Sequence, residues 1–177
     1  MSAVDTPIDP QVLKPALKTL LSKAAHYGAD AADAVATHGR SLSLSVRGGE
    51  LEDVDNSEGR DIGLRVMVGQ RQACVSSSDI SSASLNALAE RAVAMARLAP
   101  EDPYCGLADA DRLETAPPDL ELFDAHTMTP EALKARALDV EKATLSVKGV
   151  TQAESASASW SSSAIYFMTS GGFSSGW

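Results

Sequence analysis

The feature that most constrains this chain is a run of alternating apolar and polar residues, punctuated by glycines, between residues 34 and 76. Leu42, Leu44 and Val46 alternate with Ser41, Ser43, Ser45 and Arg47. Ile62, Leu64, Val66 and Val68 alternate with Asp61, Gly63, Arg65 and Met67. A period of two puts successive side chains on opposite faces of a strand, so each run buries one face and wets the other. Gly48-Gly49 and Gly69-Gln70 read as hairpin turns, because the backbone of such turns needs a residue free to take positive φ. His38-Gly39-Arg40 and Asn56 to Gly59 read as two further turns. With Ala34–Thr37, Glu50–Asp55 and Arg71–Ser76 as the remaining extended pieces, the region is expected to form five strands. Connections this short join antiparallel neighbours, since a parallel crossover needs a dozen residues or more.

Three helices flank this meander. The first falls within Asp9 to Tyr27, where Leu13, Leu17, Leu20, Leu21 and Ala24 make one apolar stripe. Gly28 is its natural stop, and Pro15 requires the regular helix to begin near it or to kink there. The second runs from about Ser81 to Leu98, with Ser81 or Ser82 as N-cap and Pro100 at the exit. The third opens on Thr129 as N-cap, Pro130 in the first helical position and Glu131 in the first turn, and closes at Gly149. Between the last two, Glu101 to His126 is a long Pro- and Asp-rich connection expected to wrap the surface. Val150–Trp160 and Ala164–Thr169 read as two more strands joined around Ser161-Ser162. The chain ends on Trp177 just after a strand, which is how a piece cut from a longer fold would end. The fold class expected is α+β: a two-layer sandwich, a mainly antiparallel meander with about three helices on one face.

Charge narrows the function. The 15 Lys and Arg are scattered and the net charge is −9. A nucleic-acid binder presents a basic stripe, so direct nucleic-acid contact is disfavoured, as is adhesion to an anionic membrane. No stretch has the length and apolarity of a membrane span, and no secretory signal is visible. Cys74 and Cys105 then read as reduced cytosolic thiols, packed as small hydrophobes.

Candidate chemistry is thin. Gly172-Phe173-Ser174-Ser175-Gly176 satisfies G-x-S-x-G, but a nucleophile elbow needs a helix after the serine and a downstream acid and histidine. His26, His38 and His126 all lie upstream, and no H-E-x-x-H spacing exists to hold zinc on a helix face. His26 suits the C-terminal dipole of the first helix, while His38 and His126 fall in turn-like polar contexts. Glu50, Glu52, Asp53 and Asp55 lie along one strand, and Glu101, Asp102, Asp109 and Asp111 in the long connection. Both groups read as solvated acids. No phosphate-binding loop is present. The hydroxyl-rich stretches Arg40–Arg47 and Ala153–Ser163 read first as wet sheet faces, and second as surfaces open to strand addition by a peptide or another chain. No catalytic, cofactor-binding or metal-ligating residue is assigned.

Six ordered blocks resemble the TldD/PmbA family. Ser43-Leu44-Ser45-Val46-Arg47-Gly48-Gly49-Glu50-Leu51-Glu52 resembles its strand–turn–strand, and Gly63-Leu64-Arg65-Val66-Met67-Val68-Gly69-Gln70-Arg71 its G-x-R-V-x-x-G-x-R hairpin. Ser76-Ser77-Ser78-Asp79-Ile80-Ser81 resembles the entry to its second helix. Asp102-Pro103-Tyr104-Cys105-Gly106-Leu107-Ala108-Asp109 is similar to a loop of the PmbA/TldE branch, and Asp119 to Asp124 and Ser170 to Phe173 to later blocks, with Thr169 where the family usually has Asn. The resemblance implies that residues 1–177 are the N-terminal domain of a longer cytoplasmic protein, cut before the C-terminal domain. It implies a non-catalytic subunit region of a zinc metallopeptidase assembly acting on unfolded or precursor peptides. The zinc is then expected in a TldD-type partner subunit, met as a heterodimer or replaced by self-association. The alternative is an interaction module that modulates DNA gyrase or a toxin system without proteolysis.

Overall fold

The computed structural model describes residues 8–114, 116 and 118–177. Helices α1 (Lys14–Tyr27), α2 (Ser82–Leu98) and α3 (Pro130–Leu145) accompany strands β1 (Ala31–Arg47), β2 (Glu50–Val68), β3 (Arg71–Ser77), β4 (Ala156–Thr169) and β5 (Ser174–Gly176). The strands form one sheet in the order β3-β2-β1-β4-β5. β2 pairs antiparallel with β3, from Ile62 opposite Ser77 to Val68 opposite Arg71, and β4 pairs antiparallel with β5. The α+β class and the antiparallel sheet match the reading of the sequence.

The strand count does not. The turns expected at His38-Gly39-Arg40, Asn56–Gly59 and Ser161-Ser162 are absent, and each lies inside one unbroken strand. Apart from Asp33, the buried positions of β1 are even-numbered both before residue 38 and after residue 41, so the period of two runs straight through. Gly39 and Gly59 take no positive φ. A β-carbon at Gly39 would stand 3.9 Å from Ser163 Cβ, an ordinary contact, and one at Gly59 would meet nothing within 4 Å. Val150 to Ser155 lies outside β4, and β5 was not anticipated.

Helix boundaries follow their caps. A short 3-10 turn, Pro10–Leu13, precedes α1, and the Asp9 carboxylate accepts from Gln11 N at 2.8 Å. Pro15 falls in the first turn of α1, where its missing N–H costs nothing, so no kink is needed. Gly28 ends the helix at φ 96°, with its N–H on the Ala24 and Ala25 carbonyls. Ser81 caps α2 by accepting from Ser84 N, and Thr129 caps α3 by accepting from Ala132 N. α3 stops at Leu145, four residues before the expected Gly149, whose positive φ serves the turn that follows.

The chain divides into two compact units, with divisions of the sequence at residues 38/39, 58/59, 120/121 and 163/164. In the unit holding Ile8–His38, Gly59–Leu120 and Ala164–Trp177, α1 and α2 pack on Ala32, Ala34, Ile62, Leu64, Val66 and Tyr166. In the unit holding Gly39–Glu58 and Glu121–Ser163, α3 supplies Leu133 and Ala137 against Leu42, Leu44, Val46 and Ala156. Burying one such Leu or Val is worth roughly 1.5–3 kcal/mol. Among the described residues, no helix is long and apolar enough to cross a membrane.

Candidate functional site

The residues that a reading for chemistry singles out are placed apart. His26 is in the last turn of α1, its ring against the edge of Tyr27 at 5.3 Å between centroids. His38 lies in β1 and is 3% exposed, which corrects its expected turn-like polar setting. It falls on an even position of β1, the parity that faces inward. His126 is exposed, with its backbone carbonyl taking the Trp160 indole N–H at 3.0 Å. Among the described residues, no three His, Cys, Asp or Glu side chains come together to hold a metal ion.

Ser174 lies in a strand. It stands opposite Met168 in the β4–β5 pair, and Ser175 and Gly176 continue the strand. Its hydroxyl bonds to the Tyr166 phenol and is the main cause that lowers the Tyr166 pKa below its ordinary value; burial opposes this, and Lys14 and Gln11 reinforce it. The Lys14 ammonium sits 5.6 Å from the Tyr166 ring centroid. Gly176 passes so close to that ring that any β-carbon there would collide with it. The G-x-S-x-G match is a strand that closes over a buried tyrosine.

The residues of the family-like motifs have structural duties. Arg65 donates from Nε to Asp33 Oδ2 at 2.9 Å, and its Nη2 bonds the same oxygen. Asp33 chiefly holds the Arg65 pKa above its ordinary value; burial opposes this, and the nearby Cys74 and Cys105 thiols add to it. Gly63 lies where a β-carbon would stand 3.3 Å from Val35 Cγ1. Gly69 takes φ 58° and donates its N–H to Asp30 Oδ2 at 2.7 Å. Arg71 ties the start of β3 to the end of α2 by donating to the Ala99 carbonyl at 2.8 Å and to Glu101 at 3.2 Å.

The long connection begins on this framework. Asp102 donates its N–H to the Gln70 carbonyl at 2.7 Å, and its carboxylate takes the Tyr104 N–H and the Gln72 side chain. Gln72 and Cys74 occupy the even positions of β3, while Ala73 and Val75 pack into the core beneath the helices. Residues 102–105 therefore run along the face of β3 that the helices leave open, as the expected surface wrap requires. Cys74 is exposed and Cys105 half-buried, which corrects the expectation of two buried thiols. Both belong to this polar side.

Glu141 is the feature the sequence reading missed. It continues the i, i+4 stripe of Leu133 and Ala137, is 4% exposed, and accepts the Gly48 and Gly49 N–H groups at 2.6 and 2.8 Å. The spacing on α3 was the available signal, masked by the assumption that an acid on a helix faces water. Leu138, Lys142 and Leu145 border a shallow apolar depression beside this contact.

β2 carries the most exposed surface of regular structure. Every residue from Glu50 to Glu58 is exposed, although all are in a strand. β1 lies on one side, with Ser41 Oγ 2.8 Å from Ser57 Oγ and ion pairs Arg47–Glu52 and Arg40–Glu58. β3 pairs only with Ile62–Val68, so among the described residues no strand pairs with Glu50–Glu58 on the far side. On β4, Ser157, Ser159, Ser161 and Ser163 are exposed, which is the wet face the sequence suggested.

Comparison with known proteins agrees with this architecture. A family model described as PmbA/TldA metallopeptidase domain 1 matches residues 32–96. The Metalloprotease PmbA homolog of Haemophilus influenzae is 34% identical over 135 residues, covering 76% of this chain and 30% of its own. The chain spans about a third of the length of the curated relatives it matches. A Bacteroides thetaiotaomicron structure, described as a candidate modulator of DNA gyrase, superposes with a TM-score of 0.79 at 20% identity, covering 93% of this chain and 38% of its own. The TldE of Thermococcus kodakarensis superposes with a TM-score of 0.72 at 16% identity, covering 92% and 36%. The chain belongs to the TldD/PmbA family and carries that family's N-terminal domain.

Proposed function

We propose that this chain is a scaffold region of a TldE-like, non-catalytic subunit in a metallopeptidase assembly, lending surface to an active centre held by a TldD-type partner. The observation that carries the reading is the use made of the motif residues. Arg65 is spent on Asp33, Arg71 on the α2 exit, Gly69 on a turn held by Asp30, and Asp102 on the start of the long connection. Groups that are shared with a family but engaged in holding a framework mark architecture, not reaction chemistry. The name metalloprotease belongs to the curated relative, and TldE to one solved neighbour. Both support the reading.

The zinc would reside in the partner, where it would activate water against a peptide carbonyl. This chain would contribute the wall along which an unfolded or precursor peptide lies, within a heterodimer or a self-associated pair in the cytoplasm. The test is to co-purify the full-length protein with its TldD-type partner and follow cleavage of an unstructured peptide, with and without a chelator. Cleavage that needs both subunits and stops with the chelator supports the proposal. No cleavage, or cleavage the chelator leaves intact, supports instead an interaction module that modulates gyrase or a toxin system.

A further inference from the structure

Among the described residues no strand pairs with the outer side of Glu50–Glu58 in β2, and we propose that this edge takes up a cationic, extended peptide segment by strand addition. The inference deepens the peptide-handling reading above and rests on it for the identity of the occupant. An unpaired strand side presents backbone N–H and carbonyl groups ready to bond a further strand. Here that side runs for nine residues, Glu50–Glu58, all of them exposed.

The side chains select the occupant. Glu50, Glu52, Asp53, Asp55 and Glu58 are acidic, and the stretch contains no Lys or Arg. Glu52 and Glu58 are matched by Arg47 and Arg40 of β1. Glu50, Asp53 and Asp55 have no cation within ion-pair distance among the described residues. A second copy of the same edge would set acid against acid, and like charges directly opposite one another destabilise a strand pair. Asp53 and Asp55 share one face of the strand and Glu50 lies on the other, so a segment with Lys or Arg at alternate positions answers Asp53, Asp55 and the backbone together. Leu51 and Val54, 46% and 48% exposed, offer apolar ground for the stems of those long side chains.

Three nine-residue fluorescent peptides test this by anisotropy against the full chain. One alternates Lys with Thr and Val, one replaces each Lys by Glu, and one keeps Lys but carries N-methyl groups on successive backbone nitrogens, so that neither of its edges can donate. Binding of the first is expected, with at least tenfold weaker binding of the other two and loss of affinity as salt rises. Amide exchange is expected to slow within residues 50–58 on binding. The double variant Asp53→Lys/Asp55→Lys should bind at least tenfold more weakly with an unchanged circular dichroism spectrum; Asp53→Asn/Asp55→Asn serves if it misfolds. Equal binding of the methylated peptide, equal binding of the Glu peptide, or no binding of the Lys peptide overturns the proposal. So does protection of 50–58 by self-association without peptide. Peptide binding without cleavage by the assembled pair would defeat the peptidase reading and leave the edge standing; cleavage without edge binding would do the reverse.

Discussion

Glu141 on α3 holds the β1–β2 hairpin by accepting the N–H groups of Gly48 and Gly49 through its two carboxylate oxygens, at 2.6 and 2.8 Å. A charged acceptor on two successive backbone donors is the strong form of the hydrogen bond. Glu141→Ala removes both bonds from a buried position, and a loss of about 2–3 kcal/mol in stability is expected by denaturant titration. Glu141→Gln keeps only one acceptor oxygen and should fall between. Amide exchange at Gly48 and Gly49 should quicken in the same order.

Asp33 and Arg65 make a second test. Asp33→Asn leaves the Arg65 guanidinium without its charged partner on the polar face of the sheet. A fully buried pair broken on one side costs about 3–5 kcal/mol. Arg65 keeps 36% of its side chain exposed, so solvent screens part of the loss and about 1–3 kcal/mol is expected. Arg65→Lys should not restore stability, because an ammonium lacks the planar fork that meets Asp33 with two nitrogens.

At Gly28 two constraints coincide. Its φ of 96° is left-handed, and an added β-carbon would stand 2.9 Å from Arg97 Nη2, which itself donates to the Tyr27 carbonyl. Gly28→Ala is expected to cost about 1–2 kcal/mol from the backbone alone. The thermal midpoint should drop, while Gly59→Ala, with no positive φ and open space around it, should be close to neutral.

Tyr166 gives a pH dependence with a definite sign. Its folded-state pKa is lowered, chiefly by the Ser174 hydroxyl. An acid depressed on folding contributes stability that is present above its unfolded pKa, about 10, and is lost as pH falls through the folded value. Stability should therefore gain from this group as pH rises toward 10. Ser174→Ala should move the phenol's ultraviolet titration upward and flatten that gain.

The sequence announced its helices through chemistry that acts locally. Ser81, Thr129, Pro130 and Gly28 mark ends because each satisfies or omits a specific backbone bond within a few residues. Turns at Gly48-Gly49 and Gly69 were legible for the same reason, since both need positive φ. Gly39, Gly59 and Ser161-Ser162 misled because residue type alone does not separate a turn from a position inside a continuous strand. Contacts between distant positions were out of reach. Nothing near Asp33 names Arg65 as its partner, and nothing near Glu141 names Gly48. The unpaired edge of β2 became visible only once β3 was seen to stop at the residues facing Ile62–Val68.

The central claim is that this chain frames a reaction centre it does not itself contain. Metal analysis of the purified protein, alone and with the proposed TldD-type partner, tests it most directly. Zinc is expected in proportion to the partner, at one ion per partner subunit, and in no fixed ratio to this chain by itself. One tightly held zinc per copy of residues 1–177 in isolation would contradict it.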